Sequence, residues 1–279
     1  MKKNIPSQKI LTKTSERVIP ENFKSKEDYL IFLKHLLAYE FAKNKISKKG
    51  IVLEVGSGEG YGTSLLSKKV KKIIGLDVDK KIVIHSSEKY GSENCIFKDY
   101  NGYKLPFNKK TFDAVVSFQV IEHIQDDKNY VSEIFRVLKK SGIFILTTPN
   151  RKYRLKDGQK PWNRLHIREY NAKTFETILK SKFQNVKVLG VKGDDIAQKI
   201  ETGRVKRLSR LVALDPLDLR RYIPTKIKNR AIKAIKLLSK SKKNNEVEND
   251  YLNNYSLKNF FIIKENLNES LDLLGVCEK

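Results

Sequence analysis

The sequence of 279 residues predicts an α/β fold whose sheet is mostly parallel and carries helices on both faces. Two observations support this prediction. Short runs of apolar or β-branched residues recur along the middle of the chain, and segments with the spacing of amphipathic helices separate them. Enough apolar sequence is present for a core, while no apolar run approaches the ~18–20 residues that a membrane-spanning helix needs.

The first 47 residues are predicted to form an extension ahead of the main fold. Residues 1–23 show no periodicity and are interpreted as a loose arm. From Lys24 to Ile46, apolar residues recur at helical spacing, which predicts an amphipathic helix. The basic N-terminus lacks the apolar segment of a secretory signal, so we expect a cytoplasmic protein.

The alternation of strands and helices occupies residues 48–192, which we interpret as the core domain. Strands are predicted at 51–55, 72–76, 94–98, 113–118, 142–147 and 185–191, with helices at 61–69, 80–89, 129–140 and 171–181. Residues 251–279 are predicted to complete this core, because the apolar run at 260–263 is typical of a closing strand.

The net charge of +25 is concentrated in one part of the chain. Lysines are spread almost evenly, but ten of the twelve arginines lie between residues 151 and 230. Residues 199–243 carry 15 basic and three acidic side chains, which is a net charge of +12. This asymmetry is typical of a surface that meets an anionic partner.

Residues 193–250 are interpreted as a basic helical insertion before the last strand. Two amphipathic pieces, 204–214 and 226–240, place basic side chains between apolar ones at helical spacing. Such helices bind anionic membrane surfaces, so residues 204–243 are candidates for peripheral contact at the inner face of the membrane. The alternative is a lid or dimer face that folds onto the domain with its basic side in solvent.

Neither the cysteines nor the histidines predict a metal centre. Two cysteines, Cys95 and Cys277, are too few for a disulfide framework or a cysteine-based zinc site. The histidines are scattered along the chain without ligand spacing, at His35, His85, His123 and His166.

The strongest local signal is the glycine-rich segment VLEVGSGEGYGT at residues 52–63. A buried strand ends there, glycines follow at alternate positions and a helix begins, which is typical of a loop that holds a ligand close to its backbone. The dinucleotide pattern G-x-G-x-x-G and the phosphate loop ending in Gly-Lys-Ser/Thr are both absent. Glu54, two residues before Gly56, favours a ligand that carries a cation near the turn.

Two further acids end the following strands. Asp77 ends the second strand, where a carboxylate can accept hydrogen bonds from both hydroxyls of a ribose. Asp99 ends the third strand and is a candidate acceptor for an exocyclic amine such as that of adenine. Because ligands of such folds bind at the carboxyl ends of the strands, these acids predict a nucleoside site.

These segments resemble the class I S-adenosylmethionine (SAM)-dependent methyltransferases, and more narrowly the small-molecule branch that includes ubiquinone- and menaquinone-biosynthesis enzymes. The resemblance spans residues 48–192 and the closing strand. It rests on five features in the expected order, namely VLEVGSGEGYG, IIGLDVD, the strand end at Asp99, FDAVVSFQVIEHI and LKKSGIFILTTPN. It implies a Rossmann-like seven-stranded sheet and SAM as the cofactor. Residues 149–170 and 215–224 also resemble methyltransferases found in surface-polysaccharide gene clusters.

The resemblance also assigns roles to residues around the cofactor. The predicted cofactor-binding residues are Glu54, Gly56, Gly58 and Gly60 for the methionine portion, Asp77 for the ribose, Asp99 for the adenine amine, Val78 and Tyr100 for the adenine ring, and Gln119 near the sulfonium.

Methyl transfer from a sulfonium is a direct displacement, so a base is needed only where the acceptor must lose a proton. His166, in the loop after the fifth strand, is slightly favoured as that base over His123, which lies just past the fourth strand. The loop around His166 is rich in aromatic and guanidinium groups, which suit an anionic or sugar-bearing acceptor. The predicted acceptor-binding residues are Arg151, Tyr153, Arg154, Trp162, Arg164 and Arg168.

The sequence therefore predicts a SAM-dependent methyltransferase that methylates a small molecule, a sugar or a lipid-linked acceptor at oxygen. A tRNA or rRNA methyltransferase is the first alternative, because the chain is strongly basic. Against it, the fourth strand ends in Ser117-Phe118-Gln119 and not in the Asn/Asp-Pro-Pro-aromatic motif of enzymes that methylate base amines. A non-catalytic binding protein of the same fold is the second alternative. No feature of the sequence predicts the oligomeric state.

Overall fold

The computed structural model describes residues 18–20, 23, 25–163, 165–213 and 251–279. Within these residues the strands are β1 (Ile51–Val55), β2 (Lys72–Asp77), β3 (Cys95–Asp99), β4 (Phe112–Phe118), β5 (Leu138–Pro149), β6 (Asn185–Gly193), β7 (Phe260–Ile263) and β8 (Asp272–Glu278). The helices are α1 (Lys26–Lys45), α2 (Tyr61–Ser67), α3 (Lys80–Tyr90), α4 (Asp127–Val137), α5 (Arg151–Arg154), α6 (Ala172–Lys180), α7 (Asp195–Ala213) and α8 (Tyr251–Asn254). Short 3-10 turns occur at Ile121–His123, Leu257–Asn259 and Leu267–Glu269.

All eight described strands belong to one sheet, in the order β3-β2-β1-β4-β5-β8-β6-β7. Within the group β1 to β5, every pair of neighbouring strands is parallel. Strand β8 runs antiparallel between β5 and β6, and β7 runs antiparallel to β6 at the edge. The carboxyl ends of β1 to β5 therefore meet at one edge of the sheet, where folds of this kind bind their ligands.

The predicted Rossmann-like fold is confirmed, with one more strand than the expected seven. The predicted closing strand at 260–263 is the edge strand β7, and the last strand is β8. An acid and a glycine, Asp272 and Gly275, interrupt the apolar pattern of β8, which explains why its sequence did not identify it. A Cβ at Gly275 would lie 2.7 Å from Leu146 Cδ2, so a larger residue there would have to displace this side chain.

Apolar side chains cover both faces of the sheet and form separate core clusters. One face packs against α4 and α6 through buried residues such as Ile134 and Phe175. The opposite face packs against α1 and α2 through Tyr39, Val52 and Leu66. Since each such side chain stabilises the fold by about 1.5–3 kcal/mol, the sheet is a firm base for the loops at its edge.

The predicted N-terminal helix is α1, and it packs directly against the core. Its first turn is capped by Ser25, whose side chain accepts a hydrogen bond from Asp28 N at 3.2 Å. Toward its other end, the ring of Tyr39 passes so close to α2 that a Cβ at Gly62 would lie 1.9 Å from Tyr39 Cζ. Only glycine fits there, so α1 is held against the helix that follows the glycine loop.

A buried ion pair joins α1 to β8. Lys34 Nζ lies 2.9 Å from Asp272 Oδ1, and neither side chain is more than 6% exposed. The second carboxylate oxygen of Asp272 accepts a hydrogen bond from Gln119 Nε2 at 3.2 Å. Each charge of a buried pair depends on the other, because removal of one leaves an uncompensated charge in the interior.

Helix α7 contains the first basic piece up to residue 213, and it folds onto the domain. Two of its arginines form ion pairs with acids of the same domain, Arg204 with Glu201 at 2.7 Å and Arg207 with Glu27 at 3.3 Å. The second piece, 226–240, lies outside the described residues. None of the helices in the described part of the chain has the length and apolarity that crossing a membrane requires.

We expect that replacing Lys34 with Met destabilises the protein by about 3–5 kcal/mol, because Asp272 keeps its buried charge without a partner. Urea denaturation measures this change in the free energy of unfolding. The double variant Lys34→Met/Asp272→Asn should recover much of the loss, since both charges are removed. A loss below about 1 kcal/mol in the single variant, the size typical of an exposed ion pair, would contradict this account.

Candidate active site

A cavity of about 650 Å³ opens at the carboxyl ends of the parallel strands. The loops that follow β1, β2, β3 and β4 form most of its wall, and α1 closes one side through His35 and Tyr39. This volume is in the range of sites that bind small molecules.

The loop after β1 adopts a backbone that glycine tolerates best. Gly56, Gly58 and Gly60 have φ angles of 79°, 54° and 95°. Gly56 N and Ser57 N donate hydrogen bonds to Leu76 O at 2.7 and 2.8 Å, which fixes the loop against β2. A Cβ at Gly58 would meet no atom within 4 Å, so the backbone at this point borders open cavity.

Glu54 is a buried acid beneath this loop, with 1% of its surface exposed. Tyr39 OH donates a hydrogen bond to Oε1 at 2.6 Å, and Thr63 Oγ1 donates one to Oε2 at 2.5 Å. Burial raises the pKa of the Glu54 carboxyl to about 7, although the two hydroxyl donors act in the opposite direction. The acid therefore connects α1, β1 and α2 from below the glycine loop.

Asp77 ends β2 with its carboxylate in the cavity wall. Gly58 N donates to Oδ2 and Asp79 N donates to Oδ1, both at 3.0 Å. Backbone groups thus hold both oxygens in place, and each oxygen can accept a further hydrogen bond. This arrangement suits a ligand with paired hydroxyls.

Most of the predicted cofactor-binding residues line this cavity, namely Gly56, Gly58, Asp77, Val78, Tyr100 and Gln119. The wall, as far as the structure describes it, does not include Glu54, Gly60 or Asp99. Glu54 lies beneath the loop, and a Cβ at Gly60 would point at Phe97 and Ser86. The side chain of Asp99 is exposed at the end of β3.

Sequence reasoning missed several polar residues of the wall, including two on α1 and one in the glycine loop. His35 and Tyr39 belong to α1, which the sequence assigned to an extension outside the core. Glu59 lies inside the glycine loop, pairs with Lys89 Nζ at 2.7 Å and accepts a hydrogen bond from Tyr90 OH at 3.0 Å. A charged residue between two glycines of the loop is the signal that could have identified Glu59.

Gln119 occupies a left-handed backbone conformation with φ of 58°. Its Nε2 donates hydrogen bonds to Thr147 Oγ1 and Asp272 Oδ2, both at 3.2 Å. Because Asp272 also binds Lys34, the cavity wall at Gln119 is linked to α1 through a single carboxylate.

The two candidate bases, His123 and His166, come together although they are far apart in the sequence. Their ring centroids are 4.8 Å apart with an interplanar angle of 78°. His123 lines the cavity, whereas His166 is buried and is not among the described wall residues. Beside them lies Glu122, and burial raises the pKa of this carboxyl to about 7. The fold thus creates a cluster that sequence spacing did not indicate.

Arg168, one of the predicted acceptor-binding residues, supports the cavity wall from outside. Its Nη1 donates to Ile124 O at 2.7 Å and its Nη2 donates to Gln125 O at 2.8 Å. Nη1 also lies 3.0 Å from Asp127 Oδ2, at the start of α4. The guanidinium therefore fixes the loop that follows β4.

The other predicted acceptor-binding residues also contact the protein itself. The guanidinium of Arg154 lies 4.3 Å from the ring centre of Trp162 and contacts Glu169 Oε1 at 3.3 Å. The remaining described contacts are Arg151 Nη2 to Gln159 O at 3.2 Å and Tyr153 OH to Thr202 Oγ1 at 2.6 Å. Arg164 lies outside the described residues.

Comparison with known proteins identifies the family to which the chain belongs. Residues 53–146 match the family model described as a methyltransferase domain. The chain is 37% identical over 179 residues to a probable SAM-dependent methyltransferase of Mycolicibacterium smegmatis, an alignment that covers 64% of this chain and 67% of that protein. A probable SAM-dependent methyltransferase of Mycobacterium tuberculosis is 35% identical over 173 residues, which cover 62% of this chain and 61% of that protein.

A similar solved structure is that of a SAM-dependent methyltransferase from Thermotoga maritima, described as a possible histamine N-methyltransferase. Its TM-score is 0.55 at 14% identity, and the alignment covers 90% of this chain and 94% of that chain. At this identity the similarity shows the fold alone.

The raised pKa of Glu54 gives folding stability a pH dependence of definite sign. The folded protein keeps this proton up to about pH 7, whereas the carboxyl's ordinary pKa is 4.5. Between these values the folded state binds more protons than the unfolded state, so stability decreases as pH rises. Glu54→Gln removes this titration.

We therefore expect the stability of Glu54→Gln, relative to the unsubstituted protein, to increase by about 3 kcal/mol between pH 4 and pH 8. Urea denaturation of both proteins at the two pH values measures this difference. Titrations shared by the two proteins cancel in it. An equal difference at both pH values would show that the pKa of Glu54 is not raised.

Proposed function

The chain belongs to the class I SAM-dependent methyltransferases, and on this premise we propose that it transfers a methyl group by direct displacement to an oxygen of a small-molecule, sugar or lipid-linked acceptor. The family confirms the predicted enzyme class and SAM as the cofactor. The observation that carries the proposal is that one cavity of about 650 Å³ has the glycine loop, Asp77 and His123 in its wall.

The residues of the cavity fit SAM. Open space beside Gly58 leaves room for a ligand against the loop backbone, and Asp77 offers two oriented carboxylate oxygens. Bound SAM supplies a methyl group that is already activated on a sulfonium. The task of the protein is then to align the reactants, which contributes on the order of 7–11 kcal/mol to lowering the barrier.

We assign the ribose hydroxyls to Asp77 and the adenine ring to the space between Val78 and Tyr100. Val78 is 62% exposed although it lines the cavity, which supports a role in covering a ligand. Asp99 is the proposed partner of the adenine amine, and Asn101 adds a second polar group in the same wall. Beneath the loop, the buried Glu54 is the proposed counter-charge for the methionine portion, since a cation bound nearby would favour the ionised form of this carboxyl.

The acceptor is proposed to bind beside His123. Leu165 O accepts a hydrogen bond from His123 Nδ1 at 2.9 Å, so the proton resides on Nδ1 and Nε2 carries the electron pair. An acceptor hydroxyl that reaches this part of the wall has a group nearby that promotes loss of its proton. The geometry favours His123 over His166 for contact with the acceptor, because only His123 lines the described cavity.

The charge distribution supports an anionic acceptor, such as a phosphate-bearing sugar or lipid carrier. Residues 199–243 carry a net charge of +12, which raises the local concentration of anions. Contact with an anionic membrane through residues 204–243 belongs to the same proposal. The ion pairs of Arg204 and Arg207 favour docking of α7 on the domain, so such contact would depend mainly on residues that follow α7.

Asp77→Asn tests the cofactor site. We expect SAM affinity, measured by isothermal titration calorimetry, to fall by about 10–100-fold, because hydrogen bonds to a charged acceptor contribute about 1.5–3 kcal/mol. Asp113→Asn is the matched control. Asp113 lies at the start of β4, at the end of the strand away from the cavity, where it pairs with Lys139 at 2.9 Å. Equal affinities of the two variants would contradict the assignment of Asp77.

The acceptor class is tested with SAM that carries a radiolabelled methyl group. The protein is incubated with host extract that has been fractionated into lipid, polysaccharide, small-molecule and RNA pools. We expect label in the small-molecule, lipid or polysaccharide fraction, and alkali-stable label is expected for an ether. Label confined to RNA would overturn the proposed acceptor class, and Asp77→Asn supplies the background of the assay.

A further inference from the structure

Three side chains with metal-binding atoms meet beside the cavity, apart from the residues assigned to SAM. The candidate ligand atoms of Glu122, His123 and His166 lie within 4.8 Å of one another. Glu122 and His123 belong to the 3-10 turn after β4, and His166 comes from the loop that precedes α6. His123 also lines the cavity, so the cluster borders the space proposed for the acceptor.

Glu122 is fully buried, and one of its carboxylate oxygens has no hydrogen-bond donor among the described residues. Oε2 accepts a hydrogen bond from Thr148 Oγ1 at 3.0 Å, but no donor in the described structure reaches Oε1. A buried polar atom without a partner costs on the order of 1–3 kcal/mol, and more when it is charged. A cation next to Oε1 would remove this cost.

Both histidines are oriented through Nδ1. Leu165 O lies 2.9 Å from His123 Nδ1, and Glu169 Oε1 lies 2.8 Å from His166 Nδ1. An oxygen that holds the proton on Nδ1 makes Nε2 the electron-pair donor, which is the arrangement typical of histidines that bind metal ions.

The residue that orients His166 is itself held firmly. Glu169 is buried and contacts the guanidinium of Arg154, which packs on the ring of Trp162. Carboxylates that hold a metal-binding histidine in this way raise its basicity and fix its ring. The three candidate ligands are therefore supported by further polar residues around them.

We propose that Glu122, His123 and His166 bind one divalent transition-metal ion through a carboxylate oxygen and two imidazole nitrogens. Imidazole ligands favour ions such as Zn²⁺, Fe²⁺, Co²⁺ and Ni²⁺ over Mg²⁺ and Ca²⁺. In a tetrahedral site, two ligand atoms at about 2.1 Å from the ion lie about 3.4 Å apart. The candidate ligand atoms, which lie within 4.8 Å of one another, therefore have to approach one another by up to about 1.4 Å, through side-chain rotation, to enclose an ion.

Three protein ligands leave a coordination position open, as in catalytic metal sites. An acceptor hydroxyl in that position releases its proton to water more readily, because the ion lowers its pKa. The oxygen then forms the bond to the methyl carbon, while the electrons of the carbon–sulfur bond remain on sulfur. In this role His123 is a ligand and not a base. The role rests on the proposed function, whereas binding of the ion does not.

The test starts from protein that has been dialysed against a chelator and then freed of it. Zn²⁺ and Co²⁺ are titrated by calorimetry, and bound metal is counted by elemental analysis. We expect one equivalent of bound ion. Glu122→Gln and His166→Gln should each lose more than the roughly 10–100-fold in affinity that removal of an outer partner costs. His85→Gln is the matched control, since His85 lies on α3 near Glu59, and its metal affinity should equal that of the unsubstituted protein.

A measurement on the unsubstituted protein guards against variants that do not fold. The electron paramagnetic resonance spectrum of bound Cu²⁺ reports its nitrogen ligands directly, and we expect two imidazole nitrogens. Less than half an equivalent of bound metal, a copper spectrum without imidazole nitrogen, or equal metal affinity in His166→Gln and His85→Gln would each overturn the site.

SAM affinity is measured on the same samples, which separates this inference from the proposed function. One equivalent of metal with no labelled methyl product would leave the metal site standing and overturn methyl transfer. Labelled product from protein that binds no metal would overturn the metal site and leave methyl transfer standing.

Discussion

The buried carboxylate of Asp272 is the constraint on which the candidate active-site cavity depends. It accepts the charge of Lys34 from α1 and a hydrogen bond from Gln119 in the cavity wall. A charge this deep is tolerated only where it is paired and hydrogen-bonded. The position of α1, the left-handed backbone at Gln119 and the place of β8 in the sheet are therefore mutually dependent. Tyr39 and Gly62 add a steric restraint on the same helix.

The parts of the fold and site that depend on local sequence could be predicted. The parallel strands could be predicted because each contains a short apolar run and helical patterns separate most of them. The glycine loop and Asp77 could be predicted because the residue types indicate them directly. Glycine is typical of backbone with φ > 0, and an acid at the end of a strand is typical of a ligand-binding position. By contrast, β8 was missed because two of its residues serve tertiary contacts. Asp272 pairs with Lys34, and Gly275 lies close to Leu146.

The remaining features arise from contacts between distant segments, and sequence spacing does not encode them. Nothing in the helical pattern of α1 indicates that Tyr39 binds Glu54 beneath the loop. His123 and His166 were read separately as candidate bases, although folding places their rings in contact. Arg168 was interpreted as an acceptor ligand because it is cationic, yet the nearest acceptors are carbonyls of its own chain. In each case the partner decides what the residue does.

The ion pair between Lys34 and Asp272 also has a consequence for how the protein is made. Its two residues are 238 positions apart, so a ribosome that adds about 5–20 residues per second needs roughly 10–50 s to supply the second after the first. Helix α1 and the glycine loop emerge from the ribosome well before β8. During this interval α1 lacks its buried counter-ion, and the cavity lacks the group that holds Gln119. The nascent chain therefore completes the candidate active-site cavity only after β8 has been synthesised.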